Sequence, residues 1–393
     1  MEQTLIAVPA LLLVSAVVAM LARRVRLPYS VGLLLTGLLL ARTPLASQVH
    51  VTKELIFTVL LPPLVFEAAL AINWGELRRD LVVLGTLATV GVLISAAVTA
   101  AGMYYLAGWG WGAAAVFGVL IAATDPVAVL VTFKDAGVVG RLRLLVEAES
   151  LLNDGTAAVA FTVALAFAIG QPLGAGAVLL LVLRMVVGGI VCGLLVAGAL
   201  IVLAGHTSDH LVELTFTTVA AYGAFLLAEA LHLSGVFATL SAGLLMGNMG
   251  LHHAWSEKGQ DSVDDLWEYL AFAANSMVFL LMGIRTAEYE LLSAVQPALI
   301  AILLVMTGRA AAIYPCAALF GGTMQRLTRP QQHALWWGGL RGALAMALAL
   351  GLPVGVPQGD MIVAVTLLVV TFSVCLQGLT VVPVLRRIGA FPA

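Results

Sequence analysis

The stretch Glu149-Ser150-Leu151-Leu152-Asn153-Asp154 places ionisable and polar residues at the entry to a long apolar segment. The apolar segment just upstream carries Thr124-Asp125-Pro126 in its middle. Placing a carboxylate at membrane depth costs free energy. Such groups therefore occur mainly where they face a protein cavity and bind an ion or a proton. Two such segments in succession, one broken by a proline, indicate passage of a cation rather than a simple membrane anchor.

The composition is that of a polytopic membrane protein. The 393 residues are 62% hydrophobic and 10% charged, whereas soluble domains carry about 25% charged residues. The three cysteines lie in apolar runs without paired spacing, which disfavours a disulfide framework or a thiolate metal site. Because no basic tract is present, we expect no nucleic-acid partner, and we also expect no cofactor. The expected partners are a transported cation, a proton and membrane lipid.

Apolar runs long enough to cross a membrane recur along the whole chain, and a spanning helix needs about 20 such residues. We predict an all-α fold of about thirteen transmembrane helices in a single domain over 1–393, without a soluble regulatory domain. The candidate spans are 4–22, 30–41, 54–72, 81–106, 112–133, 146–169, 174–204, 209–231, 235–250, 266–284, 292–318, 333–351 and 361–386.

The distribution of Lys and Arg predicts the orientation. With the N-terminus outside, 13 of the 19 basic residues lie in inside loops, 3 in outside loops and 3 within spans. Cytoplasmic loops are enriched in basic residues, so we expect the N-terminus outside and the C-terminus in the cytoplasm. Richness in Ala, Leu, Val and Gly is compatible with a bacterial source, which makes the inner membrane the expected location.

Thirteen spans divide into six, a linker helix at 174–204, and six. The segments 4–169 and 209–386 are then inverted repeats, because each begins on the opposite side of the membrane. Inverted repeats with broken helices at the midplane recur in secondary transporters. The fifth and twelfth spans correspond under this pairing, and both contain helix-weakening sequence, at Pro126 and at Gly338-Gly339-Leu340-Arg341-Gly342. We therefore predict that two broken helices cross.

Pro126 is expected to open the fifth span. It has no N–H and clashes with the carbonyl of Ala122, and it disfavours helical geometry at Asp125. Carbonyls freed around residues 122–124, with the Thr124 hydroxyl, are suitable oxygen ligands for a small cation. Asp125 has two possible roles, as an ion ligand or, as we favour, in neutralising the positive end of the following half-helix.

The sixth span presents two polar faces. Ser150 and Asp154 share one helix face at a spacing of four, and they offer oxygen ligands toward the fifth span. Glu149 and Asn153 share an adjoining face, since Glu149 and Asp154 are about 140° apart around the axis. Because Arg341 is an intramembrane charge that needs a partner, we predict that it pairs with Glu149.

Glu67 follows a double proline, Pro62-Pro63, in the third span. This carboxylate is a further candidate to bind the ion, gate access or shuttle protons, and an interfacial location is the alternative.

A mechanism follows from the number of buried carboxylates. Burial disfavours the charged form of a carboxyl group, so a proton and a cation compete for it. If the proton and the cation compete for Asp154, and if the site changes sides only with one of them bound, then transport of one requires return of the other. Asn153 cannot ionise, so one titrating carboxylate predicts one proton per monovalent cation. Glu67 is the residue that would change this stoichiometry.

These motifs resemble those of the NhaP and eukaryotic sodium/proton exchanger type of monovalent cation/proton antiporter, the cation:proton antiporter 1 family. The matching pieces are Phe66-Glu67-Ala68, Thr124-Asp125-Pro126-Val127-Ala128, Glu149-Ser150-Leu151-Leu152-Asn153-Asp154-Gly155 and Gly339-Leu340-Arg341-Gly342-Ala343.

The resemblance implies a homodimer with a dimerisation unit and a moving six-helix core. It implies cation ligation by Glu67, the Thr124 backbone, Ser150 and Asp154. It further implies that Asp125 and Asn153 support the crossed helices, and that Glu149 pairs with Arg341. The expected function is secondary antiport of Na⁺, with Li⁺ also accepted, for H⁺, electroneutral and one-to-one.

Other functions remain open at this point. A K⁺/H⁺ antiporter would use the same site, and a sodium-coupled organic-anion symporter would need a roomy apolar cavity. A channel would move charge without proton coupling. An intramembrane aspartyl protease would use Asp125 and Asp154 as a catalytic pair, but the proline after Asp125 and the lack of a glycine-rich approach argue against it. We therefore expect a transporter rather than an enzyme.

Overall fold

The structure is a computed structural model and describes residues 2–25, 28–43, 55–135, 137–171, 173–206, 209–250, 256–286, 289–353 and 355–389. Helices make up the whole architecture of these residues. The first half contains α1 Glu2–Val25, α2 Tyr29–Leu40, α3 Leu55–Ala71, α4 Trp74–Ala107, α5 Trp111–Leu120, α6 Val127–Asp135 and α7 Arg141–Ala168.

The second half also contains long helices and one broken helix. It contains α8 Ala175–Ala204, α9 His210–Ala230, α10 Gly235–Leu245, α11 Glu257–Thr286, α12 Leu291–Leu319, α13 Arg329–Gly338, α14 Ala343–Leu350 and α15 Gly359–Arg387. Short π-helical segments interrupt three helices, at Leu87–Gly91, Val219–Gly223 and Ser373–Gln377. Another, Leu55–Leu60, begins α3, and Met246–Gly250 follows α10.

The all-α prediction is confirmed. Every predicted span coincides with a described helix or with a pair of half-helices, in the predicted order. Seven of the described helices are long and apolar enough to cross a membrane, as judged by length and composition. The number of crossings and the repeat boundaries 4–169 and 209–386 stay predictions, as does the role of 174–204, which falls on α8, as a linker.

The predicted pair of broken helices meets at one point. One break separates α5 from α6 around Pro126, and the other separates α13 from α14 at Gly339–Gly342. The backbone N–H of Asp125 donates to the carbonyl of Leu340 at 2.7 Å. This antiparallel bridge is the only β pairing in the part of the chain that the structure describes. It satisfies backbone groups that would otherwise be unpaired at membrane depth.

Gly342 permits this close approach. A Cβ built at Gly342 would lie inside the space that the Asp125 side chain occupies. Gly342 is therefore required by packing against the first break, and not only by local flexibility.

The long helices pack as two groups. In the first group α11 packs along α2, α3 and α9, and α10 packs along α3 and α8. In the second group α12 packs along α4 and α15, and α5 packs along α4 and α7. Helix α7, which carries the Glu149–Asp154 motif, contacts both groups, since it also meets α3, α8 and α10.

Candidate cation-binding site

Thr124 and Asn153 join the first break to α7. The Asn153 side chain donates from Nδ2 to Thr124 Oγ1 at 2.6 Å and accepts at Oδ1 from the Thr124 backbone N–H at 3.2 Å. Ser150 Oγ donates to the Thr124 carbonyl and lies 3.2 Å from Thr124 Oγ1. All three residues are buried. Ser150, which sequence analysis directed toward the fifth span, therefore contacts Thr124 directly, and Asn153 of the adjoining face contacts it as well.

Asp125 is engaged by the half-helices. Its Oδ1 accepts from the backbone N–H of Val127, the first residue of α6, at 3.0 Å. Its carboxylate also interacts with the backbone of Ala343, the first residue of α14. A carboxylate placed at two helix N-termini stabilises the partial positive charge of both. This geometry agrees with the second of the two roles considered for Asp125.

The predicted pairing of Glu149 with Arg341 is wrong. Glu149 instead forms a two-bond ion pair with Arg309 of α12, with Nη1–Oε1 at 2.7 Å and Nη2–Oε2 at 2.8 Å. Arg309 also donates to the Leu335 carbonyl at 3.1 Å, and Glu149 accepts from Asn153 Nδ2 at 3.2 Å. Both members of the pair are buried. Sequence analysis therefore missed Arg309 as the partner of Glu149.

Arg341 has a different task from the one predicted. Its Nη1 donates to the carbonyls of Ala122 and Ala123 at 2.6 and 3.1 Å. Its backbone N–H donates to Ser373 Oγ at 2.8 Å, in the π-helical turn of α15. Each carbonyl that Pro126 frees therefore already accepts one hydrogen bond, from Arg341 or from Ser150, and keeps one lone pair for a further partner.

Asp154 differs from its neighbours because one of its oxygens is unused. Its Oδ1 is buried and has no hydrogen-bond partner among the described residues. Buried polar atoms are nearly always paired, so an orphan of this kind calls for an explanation. The carboxylate borders a cavity of about 330 Å³.

The cavity brings the four predicted ligand residues to one place. Glu67 from α3, Thr124 from the first break, and Ser150 and Asp154 from α7 all line it. Helix α11 forms another wall with Phe272 and Asn275, and the mouth carries charged groups from α7 and α11. These groups are Arg143, Glu147 and Glu268. Arg143 and Glu147 lie 3.7 Å apart, and the Arg143 side chain is exposed.

A helical bundle with two crossed broken helices, a buried carboxylate and an access cavity has the architecture of a secondary transporter. The chain belongs to the family described as sodium/hydrogen exchanger, transmembrane, whose model matches residues 11–387. The family resemblance drawn from the motifs is thereby confirmed. Members of this family are transporters, so the intramembrane protease is set aside.

The curated relatives are named as antiporters. The chain is 35% identical over 366 residues to the Na⁺/H⁺ antiporter ApNhaP of Aphanothece halophytica, covering 93% of this chain and 70% of that protein. It is 31% identical over 393 residues to the Na⁺/H⁺ antiporter NhaH of Halobacillus dabanensis, covering 96% of each chain.

A solved structure has a similar fold. The sodium proton antiporter MjNhaP1 of Methanocaldococcus jannaschii at pH 8 superposes with a TM-score of 0.76 at 20% identity, over 99% of this chain and 98% of that one. This similarity confirms the fold that the motifs implied.

Proposed function

We propose that this chain exchanges Na⁺ for H⁺ across the membrane by competition of the two ions for Asp154. The observation that carries the proposal is the buried, unpartnered Oδ1 of Asp154 on a cavity that Glu67, Thr124 and Ser150 also line. The names of the relatives, Na⁺/H⁺ antiporters, support Na⁺ as the cation.

The neighbouring carboxylates are occupied by structural partners, which supports a one-to-one exchange. Asp125 is hydrogen-bonded at the helix N-termini, and Glu149 is paired with Arg309. Asn153 and Ser150 are neutral. Asp154 is therefore the carboxylate that gains a proton or a cation in each cycle, and with one charge exchanged for one the transport is electroneutral. Glu67, on the same cavity, assists as a ligand or along the access path.

The proposed cycle has two steps that carry ions. With Asp154 deprotonated, Na⁺ enters the cavity and is held by Asp154 and neutral oxygens of Ser150 and Thr124. With Asp154 protonated, the site crosses without a cation. The empty charged form does not cross, because an unpaired carboxylate is the costliest form at membrane depth. Transport of one ion then requires return of the other.

Orientation, location and assembly belong to the same proposal. We place the N-terminus outside and the C-terminus in the cytoplasm of an inner membrane, so that the cavity mouth near Arg143 opens to the cytoplasm. Much of α8 lies at the surface of the single chain, since only 22% of an 18-residue apolar stretch of this helix is buried. Such a face fits lipid or a second copy in a homodimer.

The experiment that tests the proposal measures internal pH in proteoliposomes after Na⁺ or K⁺ is added outside, with the membrane potential clamped or free. Wild-type protein is expected to respond to Na⁺, and to Li⁺, irrespective of the clamp, whereas Asp154→Asn is expected to be silent. A response to K⁺ alone would make the chain a K⁺/H⁺ antiporter. Absence of any cation-driven pH change would refute antiport and leave the sodium-coupled symporter, which uptake of organic anions would detect.

A further inference from the structure

Asn275 of α11 is a second buried acceptor on the cavity of Asp154. Its side chain lies on the cavity wall, the residue is 5% exposed, and its Oδ1 has no hydrogen-bond partner among the described residues. Sequence analysis assigned it no role. An amide oxygen that is desolvated and unpaired destabilises the fold unless something binds it for part of the working cycle.

The two orphan atoms require the same kind of partner. While Asp154 is deprotonated, its Oδ1 and Asn275 Oδ1 are both acceptors, so neither satisfies the other. A cation, or a water molecule beside one, satisfies both. The cavity volume of about 330 Å³ accommodates several waters at about 30 Å³ each, so the cavity that both residues line has room for a partly hydrated cation.

The position of Asn275 is fixed by its neighbours on α11. Ser276 is hydrogen-bonded to the hydroxyl of Tyr29, at the start of α2. Phe272, one turn earlier, stacks on Tyr29 with a centroid distance of 5.3 Å and an interplanar angle of 12°. The amide is therefore held on the wall by a rigid contact between α2 and α11, while α7 holds Asp154 on another wall.

We propose that Asn275 supplies a neutral oxygen to the coordination or hydration shell of the cation while the cavity is open at this face, and so sets cation affinity and selectivity there. This inference rests on the proposed antiport. A neutral ligand adds affinity without adding a titrating charge, so the one-to-one stoichiometry is kept. Alternating access closes this cavity when the site opens to the other side, so the contact acts from one face only.

The test compares apparent KM for Na⁺ at the two faces, using everted and right-side-out membrane vesicles and Asn275→Leu. At the face bearing the cavity, KM is expected to rise about tenfold, equivalent to about 1.4 kcal/mol, with kcat within about twofold. At the opposite face KM is expected to stay within about twofold. Asn275→Asp keeps an oxygen in place, so it is expected to bind Na⁺ at least as tightly as the wild type.

The matched control is Asn248→Leu. Asn248 accepts from the Trp74 N–H and donates to the carbonyls of Ile72 and Leu244, and it does not line the cavity. This variant is expected to lower thermal stability and to leave KM unchanged in the folded fraction.

Three results would overturn the inference. One is a loss of rate in Asn275→Leu without a rise in KM, which would make Asn275 a packing residue. The second is an equal rise in the apparent KM for Na⁺ at both faces in the same variant. The third is an Na⁺/K⁺ preference and a KM for Na⁺ that are both unchanged in that variant. If the leucine variant does not fold, Asn275→Ser replaces it with the same expected rise. An inactive wild type refutes the proposed antiport itself, whereas an active wild type with an unaffected Asn275→Leu refutes this inference alone.

Discussion

Arg309 and Glu149 form a buried ion pair that joins α12 to α7, the helix that carries the proposed ligand Asp154, with the two guanidinium Nη atoms 2.7 and 2.8 Å from the two carboxylate oxygens. Glu149 in turn accepts from Asn153, which holds Thr124. The pair therefore fixes the rotation of α7 through a chain of contacts that ends at the first helix break.

Removal of one member of this pair leaves a buried charge uncompensated. We expect Arg309→Met to destabilise the protein by about 3–5 kcal/mol, and Glu149→Gln to do likewise. The double variant is expected to recover part of the loss, because no lone charge remains. Thermal melts in detergent provide the measurement. Arg143→Met breaks a longer pair with Glu147 in which the arginine is exposed, and it is expected to cost about 0–1 kcal/mol. Equal losses of stability in Arg309→Met and Arg143→Met would contradict the structural role of Arg309.

Arg341 acts as a donor to backbone rather than as a counter-charge. In Arg341→Met the carbonyls of Ala122 and Ala123 lose their donor, and each unpaired buried carbonyl costs about 1–3 kcal/mol. We expect a lower melting temperature and strongly reduced exchange. Arg341→Lys keeps the charge but not the planar fork, so partial recovery of stability is expected. Full activity of the methionine variant would show that the break is held by other contacts.

Gly342 provides the space in which the two breaks cross. Gly342→Ala places a methyl group where the Asp125 carboxylate lies, so the bridge from Asp125 to Leu340 is expected to be lost together with Na⁺-driven exchange. Gly85→Ala is the control, because Gly85 lies in α4 with nothing within 4 Å of a Cβ. That control is expected to gain up to about 1 kcal/mol from helix propensity. Normal exchange by Gly342→Ala would exclude a tight crossing during transport.

Proton and Na⁺ are expected to compete at a single site. Protonated Asp154 has no charge with which to hold Na⁺, so lowering the pH on the Na⁺ side raises apparent KM and leaves the maximal rate at saturating Na⁺ unchanged. In the pH range where Asp154 is mostly protonated, the apparent KM for Na⁺ should rise about tenfold for each unit by which the pH is lowered. Initial rates over a Na⁺ and pH grid in proteoliposomes test this. A fall in maximal rate with constant KM would place the proton elsewhere, with Glu67 as the next candidate.

Removal of the Asp125 carboxylate tests whether this residue serves to stabilise helix N-termini. Asp125→Ala removes the cap from Val127, and cap removal costs about 0.5–2 kcal/mol. We expect reduced stability and a lower maximal rate, with residual Na⁺ exchange at a KM close to that of the wild type. A large rise in KM at normal stability would make Asp125 an ion ligand instead. Asp209→Ala, which removes an exposed cap from Leu211, controls for capping alone.

The sequence by itself determined the class of fold and the position of each break. Apolar runs of membrane length specify helices because unpaired backbone is so costly in lipid, and Pro126 and the glycines at 338–342 interrupt two of them wherever they pack. The spacing within Glu149–Asp154 likewise fixed which polar groups share a face, since helix geometry is local. Asp154, Ser150 and Thr124 could be selected on these grounds, whereas Glu67 was selected from the double proline before it and from the family resemblance.

Only the tertiary structure decided which partner each charge has. Arg309 and Arg341 are both single arginines in apolar spans, and nothing local distinguishes them as partners of Glu149. The choice depends on how α12 and α13 pack against α7, and that packing gives the ion pair to Arg309 and the backbone carbonyls to Arg341. Asn275 could not be selected from the sequence for the same reason. Nothing local to an asparagine in a span shows that it lines a cavity, because the other walls come from other helices.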